Sequence, residues 1–124
     1  MKNFLELDPE LILDETKSFV LIEDQFPVST GHILIVSKKL KSDFFSLSEG
    51  EQEELAHAIN KAKKLIEVQN KPEGFNIGMN CGAVAGQTVM HFHCHVIPRY
   101  KGDMEDPRGG VRHVIPSKGN YLLD

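Results

Sequence analysis

Disulfide chemistry has little to work with in this chain, which contains two cysteines, Cys81 and Cys94. They form no CxxC pair and are too few for a disulfide framework, so a cytoplasmic, reducing home is expected. No apolar run approaches the roughly 20 residues of a membrane-spanning helix. The opening stretch MKNFLELDPELILDE carries too many acids for a signal peptide. Basic charge is not in excess either: 14 Lys and Arg stand against 18 Asp and Glu, a net charge of -4. No global positive field recruits a nucleic-acid polymer. Internal repeats and low-complexity segments are absent. The 124 residues, 40% hydrophobic and 26% charged, suit one soluble domain large enough to bury a core without staples.

The pattern along the chain alternates between short strands and one helix. ELILDETKSFVLIED reads as two strands around a polar turn, Asp14 to Ser18. QFPVSTGH breaks the pattern with Pro27 and Gly31. HILIVSKK is almost entirely apolar, as a strand central in its sheet would be. Ser48 and Glu51 then form a capping box. Leu55, Ala58, Ile59, Ala62, Leu65 and Ile66 follow at helical spacing on one face. Glu53, Glu54, Lys61, Lys63 and Lys64 fall off that stripe, and His57 falls on the solvated side. The helix should end near Asn70, before Pro72. GFNIGMN alternates, with Phe75, Ile77 and Met79 on one side, and TVMHFHCHVIPR reads as a further strand. Strands, one long helix and more strands predict an α+β domain, an antiparallel sheet with an amphipathic helix on one face.

The chemistry concentrates in HFHCHVIPRY. On a strand, side chains alternate, so His91, His93 and His95 share one face while Met90, Phe92, Cys94 and Val96 share the other. The apolar face can pack on the helix; the histidine face then looks at a cleft or a ligand. Three readings compete. A purely structural strand rarely carries three histidines in register. A metal site is limited by reach: residues i and i+2 lie roughly 7 Å apart and i and i+4 roughly 13 Å, so a straight strand cannot bring all three onto one zinc ion. A pair could be completed by His32 or His113. The third reading is phosphate chemistry, with a neutral imidazole as nucleophile and a second as donor. The loop GAVAGQTV supports it, since Gly86 allows close backbone approach and Thr88 offers a hydroxyl.

These residues resemble a known family. HFHCHVI fits the pattern of alternating histidines and apolar residues that marks the histidine triad (HIT) superfamily of nucleotide hydrolases and transferases. GQTVMHFHCHVIPR, the spacing from Asn80 to His95, Glu23-Asp24 and GHILIVSKK resemble its bacterial dinucleoside-polyphosphate hydrolase branch, related to the fragile-histidine-triad protein. The resemblance covers roughly residues 4 to 100. It implies an antiparallel sheet of about five strands with one long helix, usually in a homodimer. It implies a catalytic set of His93, His95 and His91: His93 as nucleophile, its other ring nitrogen held by a carbonyl near His91, His95 as donor to phosphate oxygens, and His91 and His32 as supports. Substrate binding would fall to Asp24 at the ribose, to Phe4, Leu7 and Ile22 around the base, and to Asn80, Gly86, Gln87 and Thr88 near the phosphates. No protein-bound metal is implied; Mg²⁺ could accompany a polyphosphate substrate. The implied activity is cleavage at the α-phosphate of a dinucleoside polyphosphate or related adenylate, adenine preferred, releasing AMP. A binding module with little turnover and a His-ligated metalloprotein are the competing functions.

The chain also departs from the family. It has no tryptophan, so the Trp-containing C-terminus of the nucleoside-phosphoramidase branch is missing, as are the zinc-binding cysteine pairs of some bacterial relatives. Residues 1–105 are expected to form the HIT domain. Residues 106–124 would be an extension packed on or near it, in which Arg108 or Arg112 either grips distal phosphates or belongs to a solvated loop.

Overall fold

A computed structural model describes residues 3–122. It contains a five-stranded antiparallel sheet of order β1-β2-β3-β5-β4. The strands are β1 (Ile12–Glu15), β2 (Phe19–Glu23), β3 (Ile33–Ser37), β4 (Gly74–Gly78) and β5 (His93–Arg99), with one long helix, α1 (Glu49–Gln69). The almost wholly apolar β3 lies in the middle of the sheet, buried along its whole length. β1 and β4 are the edges.

Helix α1 starts where its capping box predicts. The Ser48 side chain accepts from the Glu51 N–H, and the Glu51 carboxylate accepts from the Ser48 N–H. Asn70 closes the C-terminus. Leu55, Ala58, Ala62 and Ile66 are buried against Phe19, Leu21, Ile33, Ile35, Phe92, Cys94 and Val96. A fully buried Leu or Ile side chain contributes roughly 1.5–3 kcal/mol, so this stripe is the helix's main anchor. Glu54, off the stripe, fastens the β1–β2 turn by accepting from Thr16 Oγ1, Ser18 N–H and Ser18 Oγ. The second face of the sheet carries a smaller cluster, Val20, Ile22, Leu34 and Val36, flanked by Phe4, Leu7 and Ile12. The two faces of β2 and β3 thus have different jobs: one packs the helix, the other floors a cavity.

Three expectations need correction. The last strand begins at His93 rather than Thr88. Its partner β3 ends at Ser37; beyond that point Phe92 donates its N–H to the Lys41 carbonyl at 2.6 Å, and residues 88–92 follow the turning chain instead of the sheet. Met90 consequently lies exposed rather than on the apolar face. Ile77, on the edge strand, is 42% exposed although Phe75 and Met79 pack on the core.

Gly31 joins the sheet to the helix C-terminus. Its φ is +97°, and a Cβ there would stand 3.1 Å from Asn70 Nδ2 and 3.4 Å from Ile66 Cγ2. Left-handed backbone and a tight neighbour both act against a side chain. Gly31→Ala is expected to lower stability by about 1–2 kcal/mol, seen as a lower urea midpoint at unchanged m-value.

The C-terminal segment folds back on the domain. The turn Gly110–Val114 lies against β4, and Asn120 Nδ2 donates to Asp106. Arg108, half exposed, forks onto Asp106 at 3.0 Å. Arg112 donates to the carbonyls of Lys118 and Gly119 and stacks on Tyr121, 4.8 Å from its ring centre. Both guanidiniums hold the tail together, because each finds oxygen acceptors within a few residues of itself.

Candidate active site

A cavity of about 470 Å³ opens on the face of the sheet opposite the helix. Cross-strand registry builds its floor: Ile22 pairs with Leu34, and Leu34 with His95. Because directly opposed residues share a face, an apolar patch and the histidines sit side by side. The lining includes Phe4, Leu7, Ile22, Asp24, His32, Thr88, His93 and His95, residues from five separate stretches of sequence.

The imidazoles are wired so that backbone partners dictate their tautomers. His93 Nδ1 lies 2.8 Å from the His91 carbonyl, which can only accept. Nδ1 must therefore carry the proton, and Nε2 is left with its lone pair. The Val28 N–H donates to His32 Nδ1 at 3.1 Å, so in neutral His32 the proton sits on Nε2. That nitrogen is 2.9 Å from His95 Nδ1 and 3.4 Å from Asp24 Oδ2. His95 Nδ1 then accepts, and its Nε2 bears the remaining proton. The result is a bare nitrogen on His93 beside an N–H donor on His95, with the two rings 5.4 Å apart. A lone pair next to a donor is what attack on an anionic phosphorus centre needs.

His91 has a different place. It is buried, outside the cavity lining, and held between the Phe4 N–H, which donates to Nδ1, and the Ser37 carbonyl, which accepts from Nε2 at 2.7 Å. Its side chain positions the N-terminal segment against the sheet, and its carbonyl orients His93. Phe4 in turn sets its ring edge-on to both His91 and His93.

Burial favours the neutral rings of His95, His32 and His91. Desolvation, reinforced by the neighbouring His32 and His93, pulls His95 down to about 4 against the opposing charge of Asp24. Desolvation also lowers His32 and His91. Between pH 4 and 6.5 the unfolded chain binds more protons at His95 than the folded chain does, so stability rises with pH through that window and is lost as pH falls. The loss at His95 is at most about 3 kcal/mol. Urea unfolding at pH 7 and pH 5 should show the decline, and His95→Gln should flatten it.

The loop ahead of the histidines departs from expectation. Gly82 and Gly86 adopt positive φ, 98° and 96°, and allow a tight turn. The Gly86 and Gln87 N–H groups, however, donate to Ala83 and Gly82 carbonyls within the loop. The buried Gln87 amide accepts from Gly82 N–H and donates to the Ser42 and Val89 carbonyls. Gln87 therefore shapes the loop instead of facing the cavity. Asn80 is exposed beside the loop, its Nδ2 4.0 Å from where a Gly86 Cβ would be, and lies outside the lining. Thr88 and Val89 do line it, and among the described residues their N–H groups have no hydrogen-bond partner. Val89 has no sequence signal as a donor. Leu34 did have one: alternation along β3 puts it on the face opposite Ile33 and Ile35.

Asp24, His32 and His95 also offer ligand atoms within 4.8 Å of one another, a cluster different from the strand triad. An ion seated on all three would need His32 Nε2 deprotonated. The proton would then move to Nδ1, which already faces the Val28 N–H. Metal binding thus works against the hydrogen bond that holds the loop.

Comparison with known proteins agrees with the geometry. The HIT domain matches residues 6–102. An uncharacterized HIT-like protein of Methanocaldococcus jannaschii is 40% identical over 109 residues, 86% of this chain and 82% of the relative. The AP-4-A phosphorylase of Mycobacterium tuberculosis is 33% identical, covering 75% of this chain and 48% of its own. The asymmetrical bis(5'-nucleosyl)-tetraphosphatase of Schizosaccharomyces pombe is 34% identical, covering 76% and 52%. The chain thus spans about half the length of these two enzymes, and 63% of an uncharacterized HIT-like relative in Mycoplasma genitalium. A hypothetical histidine triad nucleotide-binding protein of Sulfolobus tokodaii superposes with a TM-score of 0.70 at 33% identity, covering 77% of this chain and 64% of that one. A HIT family protein of Bacillus anthracis gives 0.69 at 35%, covering 74% and 65%. The sheet order, the wired histidines and these matches agree: the chain belongs to the HIT family.

Proposed function

We propose that the protein is a nucleotidyl hydrolase that cleaves at the α-phosphate of dinucleoside polyphosphates or related adenylates through a nucleotidyl-His93 intermediate. The observation that carries this reading is the tautomer pattern: His93 Nε2 bare, His95 Nε2 protonated, both at a cavity with an apolar end. In the first step the His93 Nε2 lone pair forms a bond to phosphorus. The P–O bond to the leaving group breaks, and the leaving oxygen departs with the electron pair, assisted by the His95 donor. The ring becomes cationic, and the His91 carbonyl on Nδ1–H stabilises that charge. In the second step a water oxygen bonds to phosphorus and releases a proton to solvent, the N–P bond breaks with its electron pair returning to His93 Nε2, and a nucleoside monophosphate leaves. Positioning and charge stabilisation carry most of such a transfer. Thr88 and Val89 supply donors to the phosphate oxygens, and Asp24, held at the cavity edge, accepts from the ribose hydroxyls.

The proposed partners are an adenine nucleotide as substrate and, as in the family, a second copy of the chain; β4 ends the sheet on one side, with the Gly110–Val114 turn against it. The two cysteine thiols are unpaired, in keeping with a reducing cytoplasm. No described helix is long and apolar enough to cross a membrane.

The test is hydrolysis of diadenosine tetraphosphate in ¹⁸O-labelled water. Label in AMP supports attack at the α-phosphorus; label only in the released polyphosphate nucleotide contradicts it. Adding inorganic phosphate separates acceptors, since a phosphorolytic enzyme would release a nucleoside diphosphate in place of AMP.

A further inference from the structure

We infer that Phe26 is the outer wall of the base site: its ring stacks on the exposed face of the nucleotide base and sets a preference for purines. This rests on the nucleotide reading above. Phe26 is 87% exposed, and it lines the same cavity as His93 and His95. It is not alone: Val28, 72% exposed, and Leu11, 42% exposed, line the same rim. One exposed apolar side chain needs no explanation, but several on the lip of one concave site mark a ligand surface.

The backbone beneath the ring is fastened on both sides. The Phe26 N–H donates to Asp24 Oδ1 at 2.8 Å, Pro27 stiffens the next position, and the Val28 N–H donates to His32 Nδ1. The ring is therefore presented, not left loose. Asp24 spans the two ends of the site, with Oδ1 on the Phe26 backbone and Oδ2 toward His32. A ribose held at Asp24 puts its base beside the residue two positions on. The inner wall, Leu7, Ile22 and Leu34, is aliphatic and covers one face of a planar heterocycle. Among the described residues that line the cavity, Phe26 offers the phenyl ring for the other face, since Phe4 is set edge-on to His91 and His93. A second copy of the chain is a poorer occupant, because a protein segment on this rim would block the path to the histidines. Stacking strength grows with ring area, so purines gain more than pyrimidines.

The chain has no tryptophan, so Phe26→Trp installs a single fluorescent reporter at an exposed position. Titration of this variant with AMP should quench it saturably, while ribose 5-phosphate should not. Phe26→Ala should weaken AMP binding about tenfold, leave ribose 5-phosphate binding unchanged, and narrow the gap between AMP and UMP. If AMP binds the wild-type protein but changes neither the indole fluorescence of Phe26→Trp nor its own affinity in Phe26→Ala, the stacking role is overturned and the nucleotide reading stands. If wild-type protein binds no AMP at millimolar concentration, both fall.

Discussion

His93→Ala should lower the turnover of diadenosine tetraphosphate by at least about 10⁴-fold, with AMP affinity changed only a few fold. Losing a covalent nucleophile has cost factors of this order or more where the residue acts as part of a unit. No other group can take its place. His91 is buried with both ring nitrogens engaged, and the His95 nitrogen not bonded to His32 carries a proton. Affinity survives because the apolar floor, Asp24 and the Thr88–Val89 donors do not involve the His93 ring. Steady-state kinetics and calorimetry on one preparation separate the two effects. Comparable loss of binding would make His93 a ligand contact, and unchanged turnover would remove it from the chemistry.

His95→Gln and His32→Gln should each lower kcat by about 10²-fold, and the double variant should be little worse than His95→Gln alone. The shortest contact His32 makes in the site is the 2.9 Å bond to His95 Nδ1, so with His95 gone its main orienting role is gone, leaving only the longer 3.4 Å approach to Asp24. Additive losses would show that His32 acts on its own. The pH profile gives a second readout. The acid limb of kcat reports the neutral His32–His95 pair and should change shape in His32→Gln, which a loss of packing alone would not produce.

The fold was largely readable from the residues because the strongest signals are periodic. The S-x-x-E box places the start of α1, and alternation through Phe92, Cys94 and Val96 separates the core face from the histidine face. What escaped was non-local. The origin of β5 depends on where its neighbour β3 stops, and strand propensity in TVMHF carries no information about that. The duty of Gln87 depends on the Ser42 carbonyl, distant in sequence. Arg108 and Arg112 stayed open between distal-phosphate contacts and a solvated loop, because an unpaired guanidinium and one folded onto a nearby oxygen have the same sequence. Phe26 and Val89 carried no motif at all; only the cavity draws them together.

The proposed chemistry turns on a covalent bond at His93 Nε2. Incubating the protein with diadenosine tetraphosphate, quenching in alkaline denaturant to preserve the acid-labile P–N bond, and mapping peptides by mass spectrometry tests it most directly. An adenylyl group on His93, absent from His93→Ala and formed and lost at the rate of turnover, is the predicted result. Turnover with no adduct on His93, or with an adduct on a different residue, would contradict it.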